Sequence, residues 1–374
     1  MNAGPNALTH ALCILIVALL AGCTAGPQTA RLDGGLSEQI FSPKFVVNDD
    51  RTLNCQWIEF HRDSVGGAGV NWNPARGRFD TVLSYDFIQR RYVQCIPELM
   101  RWTDRRHSTA TFVAHSCIQE SFMVFRDSTG KREAAWLAAP AIQTYPLKVD
   151  SVYLIVHGSS TEYGLITIWL DNSGRELSRD TLDLPVPDFA AAAGDGATLV
   201  KREDDAFHIY HLGRACSWID SGTVNRGFSG KQSFGTDYFV QDGEIYIVSG
   251  YNLGKDDAMF ETHVVNGTRL LSTHQAKLRP FSGLNVVACR AIDAGEEFPC
   301  LVALSESVEG MSVVVLAQDS EGYWSKRGNA ESPVSETIQE FCAVKWGNTV
   351  HVACTVAADT SAVANSVEWI GFKL

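Results

Sequence analysis

The chain has 374 residues, of which 45% are hydrophobic and 20% are charged. This is the composition of a folded globular protein, with enough apolar residues for one large core or for two or three smaller ones. The formal net charge of −12 would repel phosphate groups, so a nucleic acid is excluded as the expected partner.

The first residues of the chain indicate export. No Asp, Glu, Lys or Arg precedes Arg31, and residues 11–20 form an apolar run too short for a stable membrane span. The run ends in "LAGC" at residues 20–23, which resembles the lipobox of bacterial lipoproteins. The resemblance implies removal of residues 1–22 as a signal peptide and acylation of Cys23, with palmitate among the acyl groups. Thr24 implies sorting to the outer membrane, facing the periplasm.

The residues after the lipobox divide the mature chain into two parts. Residues 24–30, "TAGPQTA", are small or polar and predict a flexible tether. We therefore expect a lipidated cysteine and tether over residues 23–40, followed by a single domain over residues 41–374.

Strands are predicted through most of this domain. Apolar runs of about five to eight residues alternate with Gly, Asp, Asn and Pro, and the first of them are "CQWIEF", "DTVLSYDFI" and "RRYVQC". Residues 96–107, "IPELMRWTDRRH", are the exception and predict a short helix with Pro97 in its first turn.

The stretch over residues 90–107 concentrates positive charge and aromatic rings in an otherwise acidic chain. Arg, Trp and Tyr are enriched at binding hot spots, so the stretch is a candidate surface for an acidic protein, a lipid headgroup or an acidic glycan. The alternative is a solvated loop with Trp102 packed beneath it. The candidate binding residues are Arg90, Arg91, Tyr92, Arg101, Trp102, Arg105 and Arg106.

One short pattern recurs along the domain, at residues 124–136, 168–180 and 315–327. Each copy has an apolar run, then Asp-x-x-Gly, then a second run. The Asp side chain bonds forward to backbone N–H groups and the Gly takes a positive φ, so each copy predicts a hairpin turn.

Longer repeats identify the fold. Residues 237–274 predict four strands, residues 284–327 repeat that unit, and residues 341–374 give its first three strands. Four strands in about 45 residues is the blade of a β-propeller. Counting the fainter earlier units gives seven blades, with six or eight still open, and the recurring turn joins the third and fourth strands of a blade. A β-sandwich is the alternative, but it does not explain the repeat.

The last unit lacks a fourth strand. The apolar run "KFVV" at residues 44–47 precedes the first unit. We expect residues 44–48 to pair with the last strand, because this would close the ring and remove both free edges.

Eight cysteines remain after Cys13 and Cys23 are set aside, and an even number in an oxidising compartment indicates disulfides. The hairpin midpoints predict two pairs, Cys289 with Cys300 and Cys342 with Cys354. The alternative is buried thiols. The pairing of the other four is left open: Cys55, Cys95, Cys117 and Cys216.

The sequence offers no catalytic set. Residues 318–324, "QDSEGYW", resemble the Asp box of sialidases, which is a structural turn. No nucleophile elbow, HExxH, CxxC or P-loop is present, so we predict no metal, no cofactor and no catalytic residue. We expect a lipid-anchored propeller that binds another protein of the cell envelope, as a scaffold or as an inhibitor of the immunity-protein kind. The alternative is a sialidase-like carbohydrate-active enzyme that uses the central funnel.

Overall fold

The computed structural model describes most of the chain from residue 27 onward. The described residues are 27–32, 39–61, 64–89, 97–104, 109–115, 120–126, 129, 132–136, 141–159, 164–227, 233–254, 257–280, 282–293, 299–307, 310–334, 337–357 and 363–373.

The strands form seven four-stranded antiparallel sheets, which confirms the predicted seven-bladed propeller. Blade 1 consists of β2 (Gln39–Val47), β3 (Leu53–His61), β4 (Ser64–Asn73) and β5 (Arg78–Gln89), and blade 2 of β6 (Pro97–Thr103), β7 (Thr109–His115), β8 (Glu120–Arg126) and β9 (Arg132–Trp136). Blade 3 consists of β10 (Ala141–Val149), β11 (Val152–Ser159), β12 (Leu165–Leu170) and β13 (Glu176–Leu182), and blade 4 of β14 (Phe189–Ala193), β15 (Gly196–Arg202), β16 (Ala206–Leu212) and β17 (Ile219–Asn225). Blades 5 to 7 are β18 (Ser233–Gln241), β19 (Glu244–Gly254), β20 (Asp257–Asn266) and β21 (Arg269–Lys277); β22 (Val286–Ile292), β23 (Cys300–Ser307), β24 (Gly310–Gln318) and β25 (Trp324–Val334); and β26 (Thr337–Trp346), β27 (Thr349–Ala357), β28 (Ser366–Lys373) and β1 (Gln28–Arg31).

The core lies between adjacent blades, so the middle strands of a blade are apolar on both faces. In β23 the run from Cys300 to Leu304 is buried throughout, with alternate side chains in the cores toward blade 5 and toward blade 7. The outermost strand β13 has no buried residue, and its burial alternates between exposed and intermediate. This contrast is expected of sheets that are stacked on both faces and open to water at their outer edge.

An N-terminal strand closes the ring, as predicted, but it is a different strand. β1 pairs with β28, with Gln28 opposite Gly371, and the Leu32 N–H continues the pairing by donating to the Val367 carbonyl at 2.8 Å. Residues 44–48 were predicted for this role, and this was wrong. Residues 44–47 belong to β2, the innermost strand of blade 1, where Lys44 lies opposite Gln56 of β3. The closing strand lies instead within the segment predicted as tether.

Residues 97–103 form β6, so the helix predicted over residues 96–107 is wrong. Met100 and Trp102 both contact the core between blades 2 and 3. Side chains two residues apart share one face of a strand, and this apolar pairing at the ring centre decides the conformation.

The recurring turns join third and fourth strands, as predicted. Asp171 Oδ1 accepts hydrogen bonds from the Ser173 and Arg175 N–H groups at 2.9 and 3.0 Å, and Gly174 has φ +88°. Asp319 accepts from two backbone N–H groups in the same way in blade 6. Most of the first copy lies outside the described residues, but the strands that flank it, β8 and β9, are paired.

Each blade has the same connections at its two ends, and these define two faces. We call the face with the connections between first and second and between third and fourth strands the turn face. The opposite face carries the connections between second and third strands and the linkers between blades, and we call it the crossover face. β1 is the fourth strand of blade 7 and therefore begins on the side of the turn face.

Candidate functional site

Charged groups of the innermost strands link neighbouring blades around the ring centre. Arg290 Nη1 of β22 lies 3.6 Å from Asp237 Oδ1 of β18, and Arg290 Nε donates to the Phe341 carbonyl of β26 at 3.2 Å. Glu340 of β26 accepts from the Ser42 N–H of β2 at 2.6 Å. These contacts join blades 5, 6, 7 and 1, so the groups serve as interblade links.

The crossover face has a recess at blade 6. Its volume is about 760 Å³, which is within the range of small-ligand pockets. Hydroxyl groups line it, and Lys326 Nζ and Glu331 Oε2 form an ion pair at 2.6 Å along its wall. β25 leaves its register with β24 between these two residues, and this irregularity shapes the recess. Such a lining can bind polar groups of a ligand or of a partner. The lining serines are Ser305, Ser307 and Ser312.

The same face is acidic at blade 4. The connection between β15 and β16 places Glu203, Asp204 and Asp205 in exposed positions, and Asp188 is exposed in the linker before β14. Lys201 Nζ lies 3.3 Å from Asp188 and offsets part of this charge. The exposed hairpin at residues 203–205 is therefore an acidic projection, and Arg226 Nη1 at its base donates to the Glu203 and Asp204 carbonyls at 3.0 and 2.8 Å.

A buried polar network lies in blade 5. Glu261 is fully buried and accepts hydrogen bonds from the Gly227 N–H at 3.0 Å and from Gln275 Nε2 at 2.8 Å. His263 Nε2 lies 3.2 Å from Glu261 Oε2. Burial by itself would raise the pKa of the Glu261 carboxyl. The hydrogen bonds to its ionised form have the larger combined effect, so the net result is a pKa below the ordinary value. Tyr251 is also fully buried, so the network stabilises blade 5 and is closed to ligands.

Exposed apolar side chains gather on the side of the turn face at the outer rim of blades 3 to 5. They lie at the start of the fourth strand of each blade: Leu177 in blade 3, Trp218 and Ile219 in blade 4, and Leu270 and Leu271 in blade 5. We call these five residues the rim strip. Their exposed fractions range from 40% for Leu270 to 48% for Leu271. No sequence pattern marks these residues, because four of them lie in ordinary short strands and Trp218 directly precedes one.

The basic stretch over residues 90–107 is divided by β6. Arg90, Arg91, Tyr92, Arg105 and Arg106 lie outside the described residues. The seven residues of β6 span about 20 Å, so the segments before and after it leave from opposite ends of one strand.

Arg101 and Trp102 lie within β6. Trp102 is 8% exposed and its ring centroid lies 5.4 Å from that of Tyr153, so it is a core residue, as in the alternative interpretation. The Arg101 backbone N–H and carbonyl are bound by the Gln56 side chain at 3.0 and 2.8 Å.

The predicted disulfide pairs are wrong. Cys289 lies opposite Ala303, three residues from Cys300, so the two cysteines point to opposite faces of blade 6. Cys342 also lies opposite Ala353, one residue from Cys354. The hairpin of blade 7 turns at residues 347 and 348, half a residue before the predicted midpoint. The structure joins none of six described cysteines to another: Cys55, Cys216, Cys289, Cys300, Cys342 and Cys354.

Burial makes three of these thiols poor nucleophiles. It raises the pKa of Cys289 and of Cys342 to about 12, and it raises that of Cys354 further. Cys23, Cys95 and Cys117 lie outside the described residues. Within the described ranges, no group of three or more His, Cys, Asp or Glu side chains could hold a metal ion. The described part of the chain also contains no helix of the length and hydropathy that a membrane span requires.

Comparison with known proteins agrees with the propeller fold. A catalytically inactive virginiamycin B lyase from Staphylococcus aureus superimposes with a TM-score of 0.52 and 10% identity over 92% of this chain and 99% of the lyase chain. The polysaccharide lyase Uly1 gives a TM-score of 0.51 and 8% identity over 91% of both chains. The NanB sialidase from Streptococcus pneumoniae gives 0.47 and 8% over 94% of this chain and 71% of its own. At these identities the likeness defines the fold class alone.

No protein-family profile matches the sequence, and no curated protein matches it.

Proposed function

We propose that the chain is a lipoprotein of the bacterial outer membrane that presents its propeller to a protein partner in the periplasm. The observation that carries the proposal is the position of β1. The lipobox cysteine, Cys23, precedes Gln28 by five residues, and Gln28 enters blade 7 on the side of the turn face. An acyl chain on Cys23 therefore holds this side toward the membrane and leaves the crossover face open to the periplasm.

The crossover face has the features of a protein-binding surface. It combines the acidic projection at residues 203–205 with the recess of about 760 Å³ at blade 6. Charge complementarity sets the rate and selectivity of association, so a partner with a basic surface fits this face best. Such a partner is a component of an envelope assembly, or an enzyme or toxin that the propeller restrains.

The test uses photo-crosslinking in cells that make the full lipidated chain. A photo-reactive amino acid replaces Asp204 or Ser307 on the crossover face, and Asn172 on the turn face is the matched exposed control. We expect a light-dependent adduct of one discrete larger mass from the first two positions and none from Asn172. Equal adducts from both faces, or none from either, would contradict the proposal.

The anchor is tested separately by metabolic labelling with palmitate. We expect the natural chain to take up label and Cys23→Ala to take up none and to remain unprocessed. A Cys23→Ala protein that still has the natural mature mass and still sediments with membranes would show that the chain is held there by other means.

A further inference from the structure

The rim strip lies on three blades, 3, 4 and 5, that are joined to one another by side-chain contacts. Thr268 of blade 5 donates through Oγ1 to Asp220 Oδ2 of blade 4 at 2.7 Å. Cys216 Sγ of blade 4 lies 3.2 Å from Thr167 Oγ1 of blade 3. Five large apolar side chains are thus exposed along one side of three joined blades, and exposed apolar side chains that gather on one side mark a candidate interaction site.

Local strand irregularities turn the leucines outward. In blade 3, Leu177 has no partner between the pairs Trp169–Ser178 and Leu170–Glu176. In blade 5, Leu271 likewise has no partner between the pairs Val264–Ser272 and Val265–Leu270. A β-bulge re-aims a side chain, and these two occur at the same place in their blades, just after the turn into the fourth strand.

Charges of both signs accompany the strip, because the acidic Glu176 and Asp220 are exposed within it beside basic side chains. Arg175, Arg214 and Arg269 are exposed and lie within four residues of Leu177, Trp218 and Leu270 along the chain. Arg175 Nε contacts Asp171 at 3.2 Å, yet the side chain remains 77% exposed. A tryptophan and leucines beside arginines match the interface of a bilayer, where rings and apolar chains enter the headgroup region and cations meet anionic lipids.

The entry point of the chain indicates the same partner. Gln28 begins the fourth strand of blade 7, the position that Ile219 holds in blade 4. The chain from Cys23 to Gln28 spans at most about 17 Å, so a bilayer that holds the acyl chain lies within reach of this side of the ring. Blade 4 lies across the ring from blade 7.

We infer that the rim strip binds the surface of an anionic lipid bilayer. It acts as a second attachment opposite the acyl chain, and it keeps the turn face against the membrane and the crossover face away from it. The inference rests on the proposed function because the acyl chain on Cys23 brings the bilayer to this side.

The test uses the chain from Thr24, which contains all seven blades and has no acyl group. It is mixed with phosphatidylcholine vesicles that contain one third phosphatidylglycerol, and binding is measured by flotation. We expect the natural chain to bind. The double variant Leu177→Ser with Leu271→Ser should bind about 20-fold more weakly, because each substitution removes about half of the apolar surface that a leucine buries in the lipid. Arg269→Gln should weaken it about fivefold. Arg202→Gln, an exposed arginine on the crossover face, should leave it unchanged.

Fluorescence locates the contact. A spin-labelled lipid should quench the emission of Trp218, and Trp218→Phe should remove that quenching while binding persists. Circular dichroism confirms that each variant is folded. Absence of vesicle binding, or equal binding by all variants, would overturn the inference and leave the palmitate result untouched. A protein adduct from a photo-reactive residue at position 177, without vesicle binding, would overturn it in favour of a protein partner.

Discussion

At the seam between blades 7 and 1, His351 lies among aromatic rings, whereas in blade 5 His263 lies beside a carboxylate. The His351 ring centroid is 4.4 Å from Trp72 and 5.8 Å from Trp369, whose Nε1 donates to His351 Nδ1 at 3.2 Å. Both histidines are almost completely buried. One is kept neutral by its apolar surroundings, and the other belongs to a network with a charged partner.

The two regions are therefore stabilised by different interactions. Blade 5 is continuous in sequence, and its polar network joins residues of β19, β20 and β21. Blade 7 is assembled from both ends of the chain, and its seam with blade 1 depends on the four-residue strand β1 and on aromatic packing. The seam should therefore be sensitive to loss of β1 and to acid, and blade 5 to loss of its carboxylate.

Deletion of residues 27–32 should have the largest effect. It removes β1 and the buried Leu32, and it exposes the β28 edge that carries Trp369 and Ile370. We expect a loss of about 4 kcal/mol in the free energy of unfolding, seen as a fall of about 5 °C in Tm, together with aggregation. Deletion of residues 24–26 is the control and should change Tm little. Equal Tm values for the two deletions would show that β1 does not close the ring.

Acid should weaken the seam next. Burial lowers the pKa of His351 to about 4, below its ordinary value of about 6.5. A lowered pKa means that His351 contributes its full stability above pH 6.5 and loses it as the pH falls from 6.5 to 4, by about 3 kcal/mol. Denaturant unfolding at a series of pH values measures this loss.

The matched variant for the seam is His351→Gln, which keeps an acceptor for Trp369 and cannot titrate. We expect its stability to fall less steeply than that of the natural chain between pH 6.5 and 4. Part of the fall should remain, because burial also lowers the pKa of His157 to about 4. Identical slopes for both proteins would mean that protonation of His351 does not weaken the seam.

Much of the fold could be predicted because its signals are local. The apolar runs and the turns between them repeat in units of four strands, and the units at residues 237–274 and 284–327 identified blades 5 and 6 directly. β1 could not be recognised, because "QTAR" is an outermost strand and has no apolar face. The predicted cysteine pairs were wrong, because a shift of one residue in the register of a hairpin moves a side chain to the other face of the sheet. The rim strip depends on bulges and on blade order, which no single segment contains.

Glu261→Gln should have a smaller effect and should act on blade 5 alone. The Gly227 N–H contacts both carboxylate oxygens, so the new amide places a donor against it in either orientation, and the charge beside His263 is lost. We expect a loss of about 2 kcal/mol near neutral pH. The same change at the exposed Glu203 should cost less than about 0.5 kcal/mol. Equal losses at both positions would place the stabilising role of the network in doubt.

Reduction should have the smallest effect, because strand pairing and core packing hold the seam and blade 6 without the two disulfides that the sequence predicted. Cys342 and Cys354 point to opposite faces of blade 7, and Cys289 and Cys300 to opposite faces of blade 6. After unfolding without reductant, we expect alkylation to label all four, because none is joined to another. Peptide mapping provides the measurement, and an intact peptide pair linking Cys342 to Cys354 or Cys289 to Cys300 would require a hairpin register different from the one observed.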